Sequence, residues 1–126
     1  MRFDQRATLH TARGTVALAL AQATRFGQRS VGLIGYPRWQ SCPPCCGLWL
    51  PHCRSVHGLG LGAPLQLLYC IDHPQHPQRH LVIATATLHP WRASLCPGAR
   101  HTLELGAGSL PAEVMAAQDL WLEWHP

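Results

Sequence analysis

The chain has 126 residues, 47% of them hydrophobic and only 13% charged, so it is long enough for one core and too apolar to be disordered. No apolar run reaches the roughly 18 residues that a membrane-spanning helix needs. The ten basic residues give a pI of about 9.0. All ten are Arg and they are scattered singly, whereas a nucleic-acid-binding surface clusters its cations. We therefore predict one soluble domain, residues 1–126, that binds neither nucleic acid nor a membrane.

A short apolar run, Val16–Ala21, could be taken for the core of a secretory signal peptide. The run is shorter than usual, and Asp4 lies where a signal peptide carries positive charge. Val16, Leu18 and Leu20 instead alternate with alanines, which favours a buried strand. We therefore predict a cytoplasmic protein whose six cysteines are thiols or ligands rather than disulfides.

Eleven glycines and eleven prolines divide the chain into short elements, which is typical of β proteins. One short helix is predicted over Arg25–Ile34, after Thr24 as its N-cap, and one or two helical turns over Leu110–Ala117. Alternating apolar residues predict further strands in two runs within Gly47–Asp72 and in His80–Leu88, His101–Leu105 and Leu120–Trp124. We therefore expect a mainly β fold, a jelly-roll-like β-sandwich or small barrel of about six or more short strands.

The second of those two runs, Leu65–Asp72, is separated from His80–Leu88 by a polar turn with two prolines. Two strands joined by so short a connection predict an antiparallel hairpin. Side chains alternate along a strand, so Gln66 and Asp72 are predicted on the same face.

Seven short motifs follow one another along the chain. They are Val-Gly-Leu-Ile-Gly35, Gly-Leu-Trp-Leu50, Cys53-x-x-Val-His57, Pro64-Leu-x-Leu-Leu, Pro90-Trp-Arg92, Leu103-Glu-Leu and Ala107-Gly108. Their order and spacing, over roughly residues 15–124, resemble the domain of unknown function 192 family. The resemblance implies a single small β-rich domain with a jelly-roll-like sandwich and a helix near its start. The family has no established biochemical activity, so the resemblance implies no reaction.

The chain departs from that family's pattern at three places. Gln66 stands where the family commonly has Asp, Leu61 where it has Met, and Gln118-Asp119 where it has Gly-Asp. The missing carboxylate at position 66 argues against an acid–base or metal role there, and it favours binding over catalysis.

Polar side chains within or at the ends of apolar runs mark the candidate site. A buried Arg needs an anion and a buried His needs a hydrogen-bond partner. We predict a polar pocket in which Arg92 and His57 hold a carboxylate or phosphate, Trp91 forms a wall, and Glu104 and Gln66 complete the lining. The alternative is internal: Arg92 pairs with Glu104, His57 satisfies a backbone carbonyl, and these residues brace the fold.

Three functions are compatible with these residues. The first is an accessory or binding module for an anionic group, carried by a small ligand or a protein partner. The second is a hydrolase or transferase acting on a small acidic substrate, with His57 as general base. The third is a structural or protein-interaction module without a ligand. No P-loop, dinucleotide fingerprint or nucleophile elbow occurs, so no cofactor is predicted.

The cysteine-rich loop has residue types that bind zinc. Cys42 and Cys45 form a Cys-x-x-Cys pair, and Cys53 follows. Structural zinc needs four converging ligands, commonly from two separated pairs, and Pro43-Pro44 is stiffer than the usual zinc-binding turn. We therefore predict no metal, with zinc on these cysteines as the weaker alternative.

Three histidines, His73, His76 and His80, have the spacing of a metal-binding helix. Pro74 and Pro77 prevent that helix because a proline removes a backbone donor and clashes with the preceding turn. We therefore predict that these histidines are polar residues of the turn.

Overall fold

A computed structural model describes residues 3–22, 45–58 and 62–126. Within these residues it contains nine strands and one short helix. They are β1 Gln5–Thr11, β2 Gly14–Gln22, β3 Cys45–Leu50, β4 Ser55–His57, β5 Leu65–Asp72, β6 Arg79–Leu88, β7 Ala93–Leu95, β8 His101–Gly106, α1 Ala112–Met115 and β9 Trp121–Trp124. The helix predicted over Arg25–Ile34 lies outside the described residues.

Seven of these strands form a closed barrel in the order β1-β2-β3-β8-β5-β6-β9. The last strand closes it, because β9 pairs antiparallel with β1 on one side and with β6 on the other. Closure gives each barrel strand two hydrogen-bonded neighbours and leaves no edge. The predicted mainly β fold is confirmed and takes the small-barrel form. The sandwich alternative is not confirmed, since one continuous ladder joins what would be two sheets.

The predicted antiparallel hairpin of β5 and β6 is confirmed. A shift in the pairing register between Tyr69 and Cys70 bends this hairpin, and beyond it Asp72 lies opposite His80. The four-residue helix α1 lies inside the range where one or two helical turns are predicted. The described part of the chain contains no helix long and apolar enough to cross a membrane.

The interior of the barrel is filled by leucines over most of its length. Side chains from opposite strands meet across it, as Trp49 of β3 does with Trp124 of β9 at 5.1 Å between ring centroids. The strand register places seven fully buried leucines on this inner face: Leu9, Leu18, Leu20, Leu68, Leu103, Leu105 and Leu122. Near Trp49 and Trp124, aromatic and polar side chains replace the leucines, so this end of the barrel, its mouth, differs from the rest.

A second sheet, β4 paired with β7, packs on the outside of the barrel. The Tyr69 hydroxyl donates to Ser94 Oγ at 2.6 Å, and the Thr102 hydroxyl donates to the Cys53 carbonyl oxygen at 2.7 Å. These bonds hold the β4–β7 sheet against β5 and β8, which explains why both faces of these two barrel strands are buried.

Candidate functional site at the mouth of the barrel

Three of the predicted site residues, His57, Trp91 and Arg92, lie together on the β4–β7 sheet and the turn beside it. The Gly58 amide donates to the Arg92 carbonyl oxygen at 2.7 Å, and the Trp91 amide donates to the Gly58 carbonyl oxygen at 2.8 Å. All three side chains are exposed. The structure therefore brings them together on an open surface and not around an enclosed cavity.

The other two predicted residues lie on the barrel wall. Glu104 is buried on β8, and burial raises its pKa to about 7. Gln66 exchanges two hydrogen bonds with the Leu110 backbone, at 2.9 and 2.8 Å, and so fixes the segment that leads into α1. Within residues 3–22, 45–58 and 62–126 no ion pair joins Arg92 to Glu104.

The cysteines of the zinc alternative are separated where they are described. Cys45 Sγ contacts the Ser109 carbonyl oxygen, and Cys53 Sγ contacts the Ser55 carbonyl oxygen. Neither belongs to a group of three possible metal ligands among the described residues. Cys42 lies outside them.

A cluster that the sequence analysis did not predict lies at the barrel mouth. One oxygen of the Asp72 carboxylate accepts hydrogen bonds from His101 Nε2 at 2.7 Å and from His80 Nε2 at 3.1 Å. Arg100 Nε lies 3.5 Å from the other oxygen. The imidazoles are largely buried, with 6% of the His101 side chain and 14% of the His80 side chain exposed, whereas Asp72 is 53% exposed. A surface carboxylate is thus anchored by two rings from the barrel interior.

The opposite nitrogen of each ring decides where its proton lies. Trp124 Nε1 donates to His80 Nδ1 at 2.9 Å, and the His52 backbone amide donates to His101 Nδ1 at 3.0 Å. Indole and backbone N–H groups can only donate, so both Nδ1 atoms must accept. Each neutral ring therefore carries its proton on Nε2, directed at Asp72.

The hydrogen bonds of these two imidazole rings run in the opposite direction to those of a metal-binding histidine. A histidine that binds a metal usually donates its outer ring N–H to an acceptor and offers the lone pair of the other nitrogen to the ion. Here the lone pairs of His80 and His101 are used by donors, and their protons occupy the space where a cation would bind. Asp72, His80 and His101 have the composition of a metal site, with ligand atoms within 4.8 Å of one another. However, the donors to the two Nδ1 atoms favour a cluster held together by N–H hydrogen bonds and not by a metal ion.

The electrostatics of the cluster agree with this assignment. The hydrogen bond from His101 is the main cause that lowers the pKa of Asp72, so the carboxylate stays ionised as an acceptor. Burial lowers the pKa of His80, which keeps that ring neutral. The cluster is therefore a carboxylate held in place by imidazole N–H donors, and it supports the structure of the mouth.

We expect Zn²⁺ to leave the thermal unfolding temperature of the protein unchanged. Binding would require both rings to change tautomer and break their hydrogen bonds to Trp124 and the His52 amide, at about 1 kcal/mol or more for each bond. Differential scanning fluorimetry with and without equimolar Zn²⁺ measures this. A rise of several degrees that Asp72→Asn abolishes would show that the cluster is a metal site after all.

A recess of about 470 Å³ opens beside this cluster. Trp49, Trp124 and His80 form its aromatic walls, and Gln5, Gln22 and Arg6 contribute polar groups from the first two strands. The Trp49 ring lies 4.9 Å from the His80 ring and 5.1 Å from the His101 ring, between centroids. The volume is in the range of small-ligand sites, and its walls are held by cross-barrel contacts.

The sequence held a partial signal for this site. The hairpin prediction already places the end of Leu65–Asp72 near the start of His80–Leu88, so Asp72 and His80 could have been paired. The prediction that His80 is a polar residue of the turn is wrong, because His80 lies on β6 and only 14% of its side chain is exposed. His101 joins through the β5–β8 pairing of Cys70 with His101, a long-range contact without a local sequence signal.

Comparison with known proteins supports the fold. No family model matches the chain, and no curated protein is similar to it by sequence. The chain is similar in structure to a protein of unknown function from Novosphingobium aromaticivorans DSM 12444, with a TM-score of 0.70 and 16% identity over 94% of this chain and 84% of that one. At that identity the likeness establishes a shared fold alone. The resemblance to the domain of unknown function 192 family stays a prediction.

Proposed function

We propose that the protein is a non-catalytic binding module whose barrel mouth holds a small ring compound bearing one anionic group. The observation that supports this proposal best is the recess walled by Trp49 and Trp124, with His80 beside it. Such walls offer flat apolar surfaces, while the polar side chains around them select an orientation.

The aromatic wall is rigid before any ligand arrives. Trp124 is fixed by its bond to His80, which is in turn fixed by Asp72. Trp49 is only 5% exposed and packs edge-on against Trp124. A preformed wall lowers the entropy lost on binding, so a small ligand can bind without reorganising the barrel.

The charge around the recess favours one anionic group. Arg6 is the one arginine among the described residues that line the recess. Its Nη1 donates to the Phe3 carbonyl oxygen at 2.7 Å. A guanidinium has further donors that can reach a carboxylate. Asp4 also lines the recess and opposes ligands with several negative charges. Gln5 and Gln22 supply side-chain amides that can donate or accept hydrogen bonds.

Catalysis has weaker support. His57, the predicted general base, lies exposed on β4, away from the recess. At the mouth, the Asp72 carboxylate is tied up by two N–H donors and its pKa is lowered, which makes it a poor proton acceptor.

We expect benzoate and indole-3-carboxylate to bind the wild type, and Arg6→Gln to weaken their binding about tenfold. The reason is the loss of a charge-assisted hydrogen bond, which is worth about 1.5 kcal/mol at the lower end of its range. Isothermal titration calorimetry measures the dissociation constants.

Arg13→Gln is the matched control, because Arg13 is an exposed arginine in the turn after the same strand but does not line the recess. Benzamide, the uncharged analogue of benzoate, should bind the wild type more weakly than benzoate and be insensitive to Arg6→Gln. Equal losses in the two arginine variants would contradict the proposed role of the mouth.

A further inference from the structure

The turn His89–Arg92 presents a tryptophan in an unusual backbone conformation. The Arg92 amide donates to the His89 carbonyl oxygen at 3.2 Å, which closes a four-residue turn, and Trp91 at its third position has φ +65°. Pro90 at the second position cannot adopt a positive φ. The turn is therefore of type II, whose third position normally holds glycine or asparagine.

A large aromatic residue at that position strains the backbone and gains little burial in exchange. The Trp91 side chain is 71% exposed. Leu95, on the side of β7 that faces away from the barrel, is 64% exposed. Both side chains are apolar, and neither contributes much to the core. Strained residues that do not support packing are found preferentially at binding sites.

The surface around these two side chains is positively charged. Residues 51–58 and 89–98, which contain β4, β7 and their flanking turns, include two arginines, three histidines and no aspartate or glutamate. The two arginines, Arg54 and Arg92, are exposed, and Arg54 Nη1 reaches the Pro97 carbonyl oxygen at 3.5 Å. No ion pair is formed by either arginine within the described ranges.

We propose that this surface, formed by Trp91, Leu95, Arg54 and Arg92, docks an acidic peptide segment of a partner protein that also carries aliphatic side chains. This inference goes beyond the proposed function, since the docking surface lies on the β4–β7 sheet and not at the barrel mouth. Trp and Arg are the residue types that contribute most to protein interfaces, with the aromatic group as the apolar anchor. The guanidiniums of Arg54 and Arg92, which form no ion pair with the described residues, complement carboxylates, and Leu95 complements an aliphatic side chain.

A nucleic acid fits this surface less well. Binding of a single strand uses several aromatic side chains for successive bases and a row of cations for the phosphates. The surface offers one exposed tryptophan and two arginines, which suits a short peptide contact.

The test uses a fluorescein-labelled peptide of alternating Glu and Leu, with a Lys and Leu peptide of the same length as control, in fluorescence anisotropy. The wild type should bind the acidic peptide, more weakly as salt rises, and not the basic one. Trp91→Gly should raise the dissociation constant at least tenfold while the unfolding temperature stays the same or rises, because glycine relieves the strained turn. The double variant Arg54→Gln/Arg92→Gln should lose most of the affinity at low salt, and Arg13→Gln should lose none.

Several results would overturn the proposal. The first is that the wild type, even at millimolar concentration, does not bind the acidic peptide. Another is a Trp91→Gly variant that binds as tightly as the wild type, or that melts well below it, since tryptophan would then be a structural residue. A single-stranded oligonucleotide that displaces the peptide with a tenfold lower dissociation constant would identify a nucleic-acid surface instead. Benzoate binding at the mouth should be unchanged in Trp91→Gly, which separates this test from that of the proposed function.

Discussion

Glu104→Gln is expected to stabilise the protein at pH 8 and to have little effect below pH 5. Glu104 is 5% exposed, and no described residue forms a hydrogen bond or ion pair with its carboxyl group. Burial raises its pKa from 4.5 to about 7. The shift corresponds to a penalty on the order of 3 kcal/mol for the ionised form. Glutamine has the same shape without the charge, so the variant should melt roughly 10 °C higher at pH 8.

The sign follows from proton binding. Between pH 4.5 and about 7 the folded state holds a proton on Glu104 that the unfolded state releases, so the contribution of this group to stability falls as pH rises through that window. His80 and Asp72 act in the opposite sense. Their lowered pKa values mean that the unfolded state binds protons more readily, so stability falls as pH drops below the ordinary pKa of each group.

Because these groups oppose one another, the informative quantity is the difference in melting temperature between Glu104→Gln and wild type at each pH. Glu113→Gln is the matched control, since Glu113 is exposed in the first turn of α1. A constant difference from pH 4.5 to pH 8 would mean that Glu104 is not the buried acid described here.

Gly47→Ala is expected to destabilise the protein by about 2–3 kcal/mol. Gly47 lies on the inner face of β3, opposite Leu105 of β8. An added Cβ would overlap the Leu105 side chain and would lie 2.7 Å from the Glu104 carbonyl oxygen. The side chain could rotate, but the carbonyl is part of the β8 backbone, so strands β3 and β8 would have to separate. Chemical denaturation with urea measures the loss.

Gly62→Ala is the matched control for this substitution. No atom of the described residues lies within 4 Å of the position its Cβ would take. We expect no loss and a small gain, because alanine restricts the unfolded chain more than glycine does. Equal stabilities of Gly47→Ala and wild type would contradict the close approach of β3 to β8.

The parts of the fold that depend on local pattern could be predicted from the sequence. Alternation in Leu65–Asp72 and His80–Leu88, with a short turn between them, predicted the hairpin of β5 and β6. The short strands β4 and β7 could not be predicted as a separate sheet, because three residues carry no clear period. Closure of the barrel depends on β9 reaching both β1 and β6, which no local pattern encodes.

The candidate site was harder to predict for the same reason. His57, Trp91 and Arg92 lie near one another because the β4–β7 pairing brings their backbones together, but all three are exposed, whereas the neighbouring apolar residues had predicted burial. Asp72 and His101 come from strands 29 residues apart and meet only through the sheet order. Local sequence shows which side chains can bind, whereas the barrel topology decides which of them share a cavity.

The ligand site walled by Trp49 and Trp124 can be tested by NMR of the ¹⁵N-labelled indole groups during titration with benzoate. We expect the Nε1–H resonances of Trp49 and Trp124 to move in proportion to saturation. Those of Trp91, exposed on the outer surface, and Trp121, stacked on His10 at 3.8 Å between centroids, should stay in place. Shifts confined to Trp91 or Trp121, or no shift at saturating benzoate, would contradict this site.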